Sequence, residues 1–196
     1  MRLPYSLLFC SLLFSAFLQA ETYQGYLITK NNIHLTGFFS TIDHNEGGSN
    51  VAFINDFGDV YSIHPALVQG FAFRKGEDTH LYVSRREKRR WVFLRLIYKG
   101  DFVSLMQAPE NRTDSFLTPS GVENRTVRFR EYWVETPNRT AFPVRRVGFR
   151  KEMRKFCERG APRLAEKIGK AGFRYRNIRE IIEAYELERR KRKRKI

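Results

Sequence analysis

From residue 22 to residue 107 the chain alternates short apolar, β-branched and aromatic runs with turn sequences too short to hold a crossover. This constrains the fold more than any other feature. Strands joined by such links pair antiparallel, whereas a parallel pair needs a connection of about a dozen residues or more. Residues 22–30 and 33–42 flank Asn31 and Asn32, and Asn tolerates the positive φ of a tight turn. Residues 51–55 and 60–64 flank Asp56–Asp59, and residues 70–74 and 81–84 flank Lys75–Asp78. The clearest hairpin joins 91–98 to 102–107 through Lys99, Gly100 and Asp101. A last strand is expected over 129–135. The polar stretches 43–50 and 109–124 read as loops. Gly25 and Gly37, inside strand-like runs, mark bulges or close backbone approaches.

From Val147 the apolar period changes. Phe149, Met153, Phe156 and Cys157 recur at helical spacing and predict an amphipathic helix ending near Gly160. Pro162 suits the first turn of a second, short helix carrying Leu164 and Ile168, closed by Gly169 and Gly172. Asn177 stands as N-cap of a third helix with Glu180 at the capping-box position, and Ile178, Ile181, Ile182 and Tyr185 form its apolar stripe. Strands first and helices after make the expected class α+β. The expected architecture is an antiparallel, strongly curved sheet or partly closed barrel of about eight to nine short strands, followed by two to three C-terminal helices.

The first twenty residues divide as an export signal does. Met1 and Arg2 give a positive start, residues 7–18 are a 12-residue apolar run, and Ala20 offers a small residue before Glu21. The run is shorter than the roughly 20 apolar residues a membrane-spanning helix needs. Cleavage near Glu21 is the expectation, with an uncleaved anchor or a buried helix as the alternative. Cys10 follows Leu7, Leu8 and Phe9, so the small residues that precede a lipidated cysteine are missing. The organisation expected is a signal peptide at 1–20, an antiparallel β domain at 21–144, a helical segment packed on the sheet at 145–188, and a basic tail at 189–196.

After cleavage Cys157 is the one thiol left, so packing rather than a disulfide must hold the fold. Charge divides sharply: residues 145–196 hold 20 Lys/Arg against 7 Glu, whereas residues 1–144 carry a net charge of only +2. Any electrostatic role belongs to the C-terminal part. Its densest run is seven consecutive bases, Arg189, Arg190, Lys191, Arg192, Lys193, Arg194 and Lys195, the candidate polyanion-binding residues. The competing reading is a solvated helix end, because cations at a helix C-terminus are favoured by the helix dipole.

Catalytic motifs are missing. His34, His44, His64 and His80 show no metal-ligand spacing, with neither H-x-H nor H-E-x-x-H. Ser49 lacks the G-x-S-x-G setting of a nucleophile elbow, and Cys157 belongs to an apolar helix face. Asp56, Asp59, Asp78 and Asp101 all fall in turns, where Asp bonds nearby backbone N–H groups. No Gly-rich phosphate loop precedes a helix, and no cofactor is expected. Asn-Arg-Thr occurs at Asn111, Asn124 and Asn138, which are glycan acceptors only in a eukaryotic secreted protein.

Four segments carry a resemblance: GYLITKNNIHLTG at 25–37, VYSIHPALVQGFAF at 60–73, FLRLIYKGDFVSLMQ at 93–107, and FRKEMRKFCERGAPRLAEKIGKAGFRYRNIREIIEAYE at 149–186. Together they resemble a group of small, uncharacterised exported proteins of Bacteroidetes-type bacteria. The resemblance implies export and a β-then-α layout, and brings no activity and no functional residues. The run beyond Glu186 is longer and more basic than that pattern. The expected function is that of an exported, non-enzymatic, envelope-associated binding or structural module in the periplasm or at the cell surface. The alternative is docking to anionic lipid, lipopolysaccharide or another polyanion through the basic C-terminus, with a hydrolase as the weakest reading. Partners are expected to be an anionic membrane surface or an envelope polymer, and export argues against nucleic acid.

Overall fold

The computed structural model describes residues 21–119, 121–128 and 130–194, so the expected signal peptide lies outside the described residues. Its strands are β1 (Tyr23–Thr29), β2 (His34–Asn45), β3 (Gly48–Asn55), β4 (Val60–Ile63), β5 (Val68–Lys75), β6 (Asp78–Glu87), β7 (Arg90–Lys99), β8 (Ser104–Gln107), β9 (Asn111–Thr118), β10 (Gly121–Arg128), β11 (Tyr132–Thr136) and β12 (Arg139–Val144). Three helices follow: α1 (Phe149–Gly160), the four-residue α2 (Pro162–Ala165) and α3 (Ile178–Lys193). The class is α+β, as the order of periodicities implies.

Ten strands form one sheet in the order β12-β11-β8-β7-β6-β5-β1-β2-β3-β4, and β9 and β10 form a separate two-stranded ribbon. All neighbours in the large sheet pair antiparallel. One parallel bridge, Gly48 to Trp91, brings β3 against β7, and there Phe93 N–H donates to Ser49 Oγ at 2.8 Å. The sheet keeps two ends, β12 and β4. The expectation of about eight to nine strands in a strongly curved sheet or barrel is therefore corrected to twelve strands among the described residues, ten of them in one large, mostly uncurved sheet.

The three additional strands have a common cause. β9 and β10 occupy the stretch read as polar, and their four apolar residues, Phe116, Leu117, Val122 and Val127, set up no regular alternation that would mark a strand. β12 carries Pro143 but lies at the sheet's end, where a missing N–H costs no ladder bond on the open side. The loop expected at 43–50 is likewise a continuation of β2 into β3, with His44 paired to Ser49 and Asn45 to Gly48.

Gly25 and Gly37 face each other across β1 and β2. A Cβ at Gly25 would collide with the backbone of Ala72 and Phe73, the close approach the sequence implies. Phe39, Phe71, Phe73 and Phe93 form one apolar cluster on the β1–β7 part, where Phe39 stacks on Phe71 with centroids 4.8 Å apart. The other large cluster sits under the helices. Leu105 and Val134 of the sheet meet Met153 and Cys157 of α1 and Ile181 and Ile182 of α3. Their chain neighbours Met106 and Trp133 point to the opposite face, following the two-residue alternation of strands. Asn177 occupies the N-cap of α3 without a side-chain cap bond, so the expected capping box is not formed.

Candidate functional site

The seven bases of the terminal run differ from one another in the fold. α3 carries them unbroken from Arg189 to Lys193. Arg189 lies over the Phe102 ring, 5.1 Å from its centroid, and Lys193 stands 5.9 Å from the same ring. Arg190 donates to Glu186 at 3.0 Å and pairs with Asp101 at 3.0 Å. Arg192 donates to the Gly160 carbonyl at 3.3 Å, tying α3 to the end of α1. Lys191 and Arg194 are exposed, and Lys195 lies outside the described residues. Four of these bases thus contact the body of the fold.

A larger basic surface lies around α1. Its apolar residues Phe149, Met153 and Cys157 are buried on one face, which turns Arg150, Lys151, Arg154 and Lys155 to solvent. Three concavities follow one another round this helix. The first, of about 470 Å³, is lined by Arg128, Arg130, Arg146 and Arg176. Arg146 also lines the second, together with the four outward cations of α1. Lys155 in turn lines the third, of about 980 Å³, with Arg139, Arg145, Arg159 and Arg189. The shared residues make the three a continuous belt. Carboxylates are fewer along it: Glu110 in the first, Glu158 in the second, and Glu87, Asp101 and Glu152 in the third. Glu158 pairs with Arg154 at 3.6 Å. Val147, 88% exposed, lies in the chain between Arg146 and Gly148, both of which line the second concavity.

The remaining candidates stay apart. His34 stacks on Tyr26, His80 stacks on Phe73, and His64 Nδ1 accepts the Ala66 N–H at 3.2 Å to cap a short 3-10 turn. His44 is buried, and burial with the nearby Arg90 and Arg112 lowers its imidazole to about 4. Among the described residues no three His, Cys, Asp or Glu side chains gather as metal ligands would. Burial pushes the Cys157 thiol up to about 12, so it stays protonated at neutral pH. No helix among the described residues is long and apolar enough to cross a membrane.

No family model, no curated protein and no solved structure matches this chain.

The functional reading therefore rests on the chain's own surface. The sequence locates the charge in residues 145–196 and offers the terminal run as the candidate polyanion-binding segment, with a solvated helix end as the competing reading. The periodicity of α1 held a signal for the belt, since apolar residues at 149, 153 and 157 leave the cations at 150, 151, 154 and 155 together outside. Arg128 and Arg130 had none, because they reach the belt only through the packing of β10 and β11 beside the helices.

Proposed function

We propose that this protein is an exported, non-catalytic module that docks on an anionic membrane surface of the cell envelope. The observation that carries the reading is the continuous basic belt around α1, with exposed Val147 following Arg146 in the chain. Basic residues near a membrane surface contribute about 1 kcal/mol each when the lipid is anionic. An exposed apolar side chain next to one of them adds contact with the acyl boundary, as in interfacial helices. The signal-like residues 1–20 support export, and the resemblance to small exported Bacteroidetes-type proteins belongs to the same reading.

Lys191 and Arg194 extend the belt at the end of α3 without being its centre. Cosedimentation of the mature chain with vesicles tests the reading. Retention on phosphatidylglycerol vesicles should be strong in low salt, weaken as salt rises, and vanish on phosphatidylcholine. Lys151→Glu with Lys155→Glu should abolish it, and Val147→Asp should weaken it. Lys191→Gln with Arg194→Gln should leave most of it. Equal retention on neutral and anionic vesicles would exclude electrostatic docking.

A further inference from the structure

We infer that the cleft lined by Arg128, Arg130, Arg146 and Arg176 is a binding site for a doubly phosphorylated sugar ring. The inference takes its setting from the docking reading and names the ligand chemistry of one part of the belt.

Five separate parts of the chain build this cleft: the link before β9 that carries Glu110, the end of β10, the start of β11, the segment before α1, and the 3-10 turn at Tyr175–Asn177. Its aromatic wall is fixed. The Tyr175 hydroxyl donates to the Arg130 carbonyl at 2.9 Å, pinning the turn to the strand connection. The Tyr175 ring meets Tyr132 at 5.6 Å and Phe149 edge-on at 5.6 Å. Burial, acting with Tyr132, pushes the Tyr175 phenol up, so it remains a neutral donor across the physiological range. The wall therefore presents aromatic surface without negative charge, suited to the C–H face of a sugar ring.

The charge of the cleft is unbalanced. Among the described residues none of the four arginines forms a salt bridge, and the one lining carboxylate, Glu110, already accepts from Gln107 Nε2 at 3.1 Å. Four guanidinium groups against one carboxylate leave an excess of three positive charges. Phosphate monoesters carry about −1.5 to −2 each at neutral pH, so two of them match the excess and one does not. Guanidinium is also the group that binds phosphate oxygens in bidentate fashion. A volume of about 470 Å³ lies in the range of small-molecule sites and leaves room for a ring between the phosphates. The ligand is either a free sugar bisphosphate or the headgroup of a phosphoglycolipid, with the same chemistry presented to the cleft.

Calorimetric titration of the mature chain with glucose 1,6-bisphosphate, glucose and inorganic phosphate tests this at fixed ionic strength. The bisphosphate should bind at least about tenfold more tightly than phosphate, and glucose should show no binding, given the strength of paired charge-assisted bonds. Arg128→Gln with Arg176→Gln, both exposed and checked for an unchanged thermal melt, should weaken the bisphosphate by about tenfold or more. Lys151→Glu with Lys155→Glu should leave it within about twofold, being outside the cleft. Equal affinity for bisphosphate and phosphate, or an unaffected cleft variant, would overturn the site. Vesicle retention is scored separately: its loss with bisphosphate binding intact removes the docking reading alone, and the converse removes the cleft alone. Phosphatidylglycerol vesicles with added lipid A identify the source. If the cleft variant loses the extra retention that lipid A confers, the ligand is the lipid headgroup; if that retention is unchanged while bisphosphate binding falls, it is the free sugar phosphate.

Discussion

Glu186, in the middle of α3, accepts the backbone N–H of Phe102 at 2.9 Å, so a helix carboxylate closes a turn of the sheet 84 residues earlier in the chain. The other carboxylate oxygen accepts Asp101 N–H at 2.9 Å, and Arg190 completes the group from one helical turn away. The side chain is 1% exposed. Burial by itself would push the carboxyl up. The N–H groups of Phe102 and Asp101, with Arg190, outweigh it and hold the group below the usual carboxylate range.

Replacing Glu186 with Ala leaves two partly buried backbone donors without their acceptor, and the expected loss is about 1–3 kcal/mol in urea unfolding. Because the folded group titrates lower than the unfolded one, its stabilisation is complete above about pH 4.3 and disappears as pH falls through the folded value. The acid limb of a stability profile should therefore be shallower in Glu186→Gln. An unchanged limb would show that Glu186 does not couple the turn to protonation.

Gly100 lies in the same turn, and a Cβ there would strike the Glu186 carboxylate. Gly100→Ala should displace that carboxylate and destabilise by about 1–3 kcal/mol, the range for overpacking. Combined with Glu186→Ala, its cost should shrink sharply, since residues in contact are not additive. A double-mutant cycle in urea checks this, and simple additivity would mean the two positions are uncoupled.

The Lys99–Asp101 turn was legible from sequence as the clearest hairpin, yet nothing local announced that Glu186 would close it. Turn chemistry and helical periodicity are short-range signals and placed nine strands and the helices. The ribbon β9–β10 escaped because no apolar alternation marks its strands, the half-buried face of β9 carrying Arg112 and Asp114, and β12 because Pro143 argues against a strand unless the edge is known. The belt divides the same way. The cations of α1 follow from its period, whereas Arg128, Arg130 and Arg176 share a cleft only through tertiary packing. The terminal run was conspicuous as a string of charges, but a string does not reveal that Arg190 and Arg192 are partly occupied within the fold.

The Cys157 thiol, buried in the core under the helices and held protonated, should be inert in the native protein. A thiol reagent at pH 8 should label protein purified from its exporting host only on unfolding, and then at one site per molecule if the proposed signal, which carries Cys10, is removed. Two reactive thiols per unfolded chain would show that the first twenty residues remain. Rapid labelling of the folded protein would show that the packing of α1 on the sheet is open.

His44 should set a second pH dependence, separable from that of Glu186. Its side chain, 2% exposed in β2, is depressed to about 4 by burial first and then by Arg90 of β7 and Arg112 of β9, while the Gly48 backbone and Asp114 act the other way. In the unfolded chain the imidazole takes up its proton near pH 6.5. Between that value and about 4 the unfolded state therefore binds more protons than the folded one, and stability falls as pH is lowered through this window. Below it the loss levels off. The full loss is about 3 kcal/mol from the difference between the two values. His44→Leu should flatten the profile between pH 6.5 and 4 while leaving the Glu186 limb below it. The slope is read from urea midpoints at half-unit intervals of pH. If wild type and His44→Leu run parallel across the window, the imidazole is not held neutral in the fold.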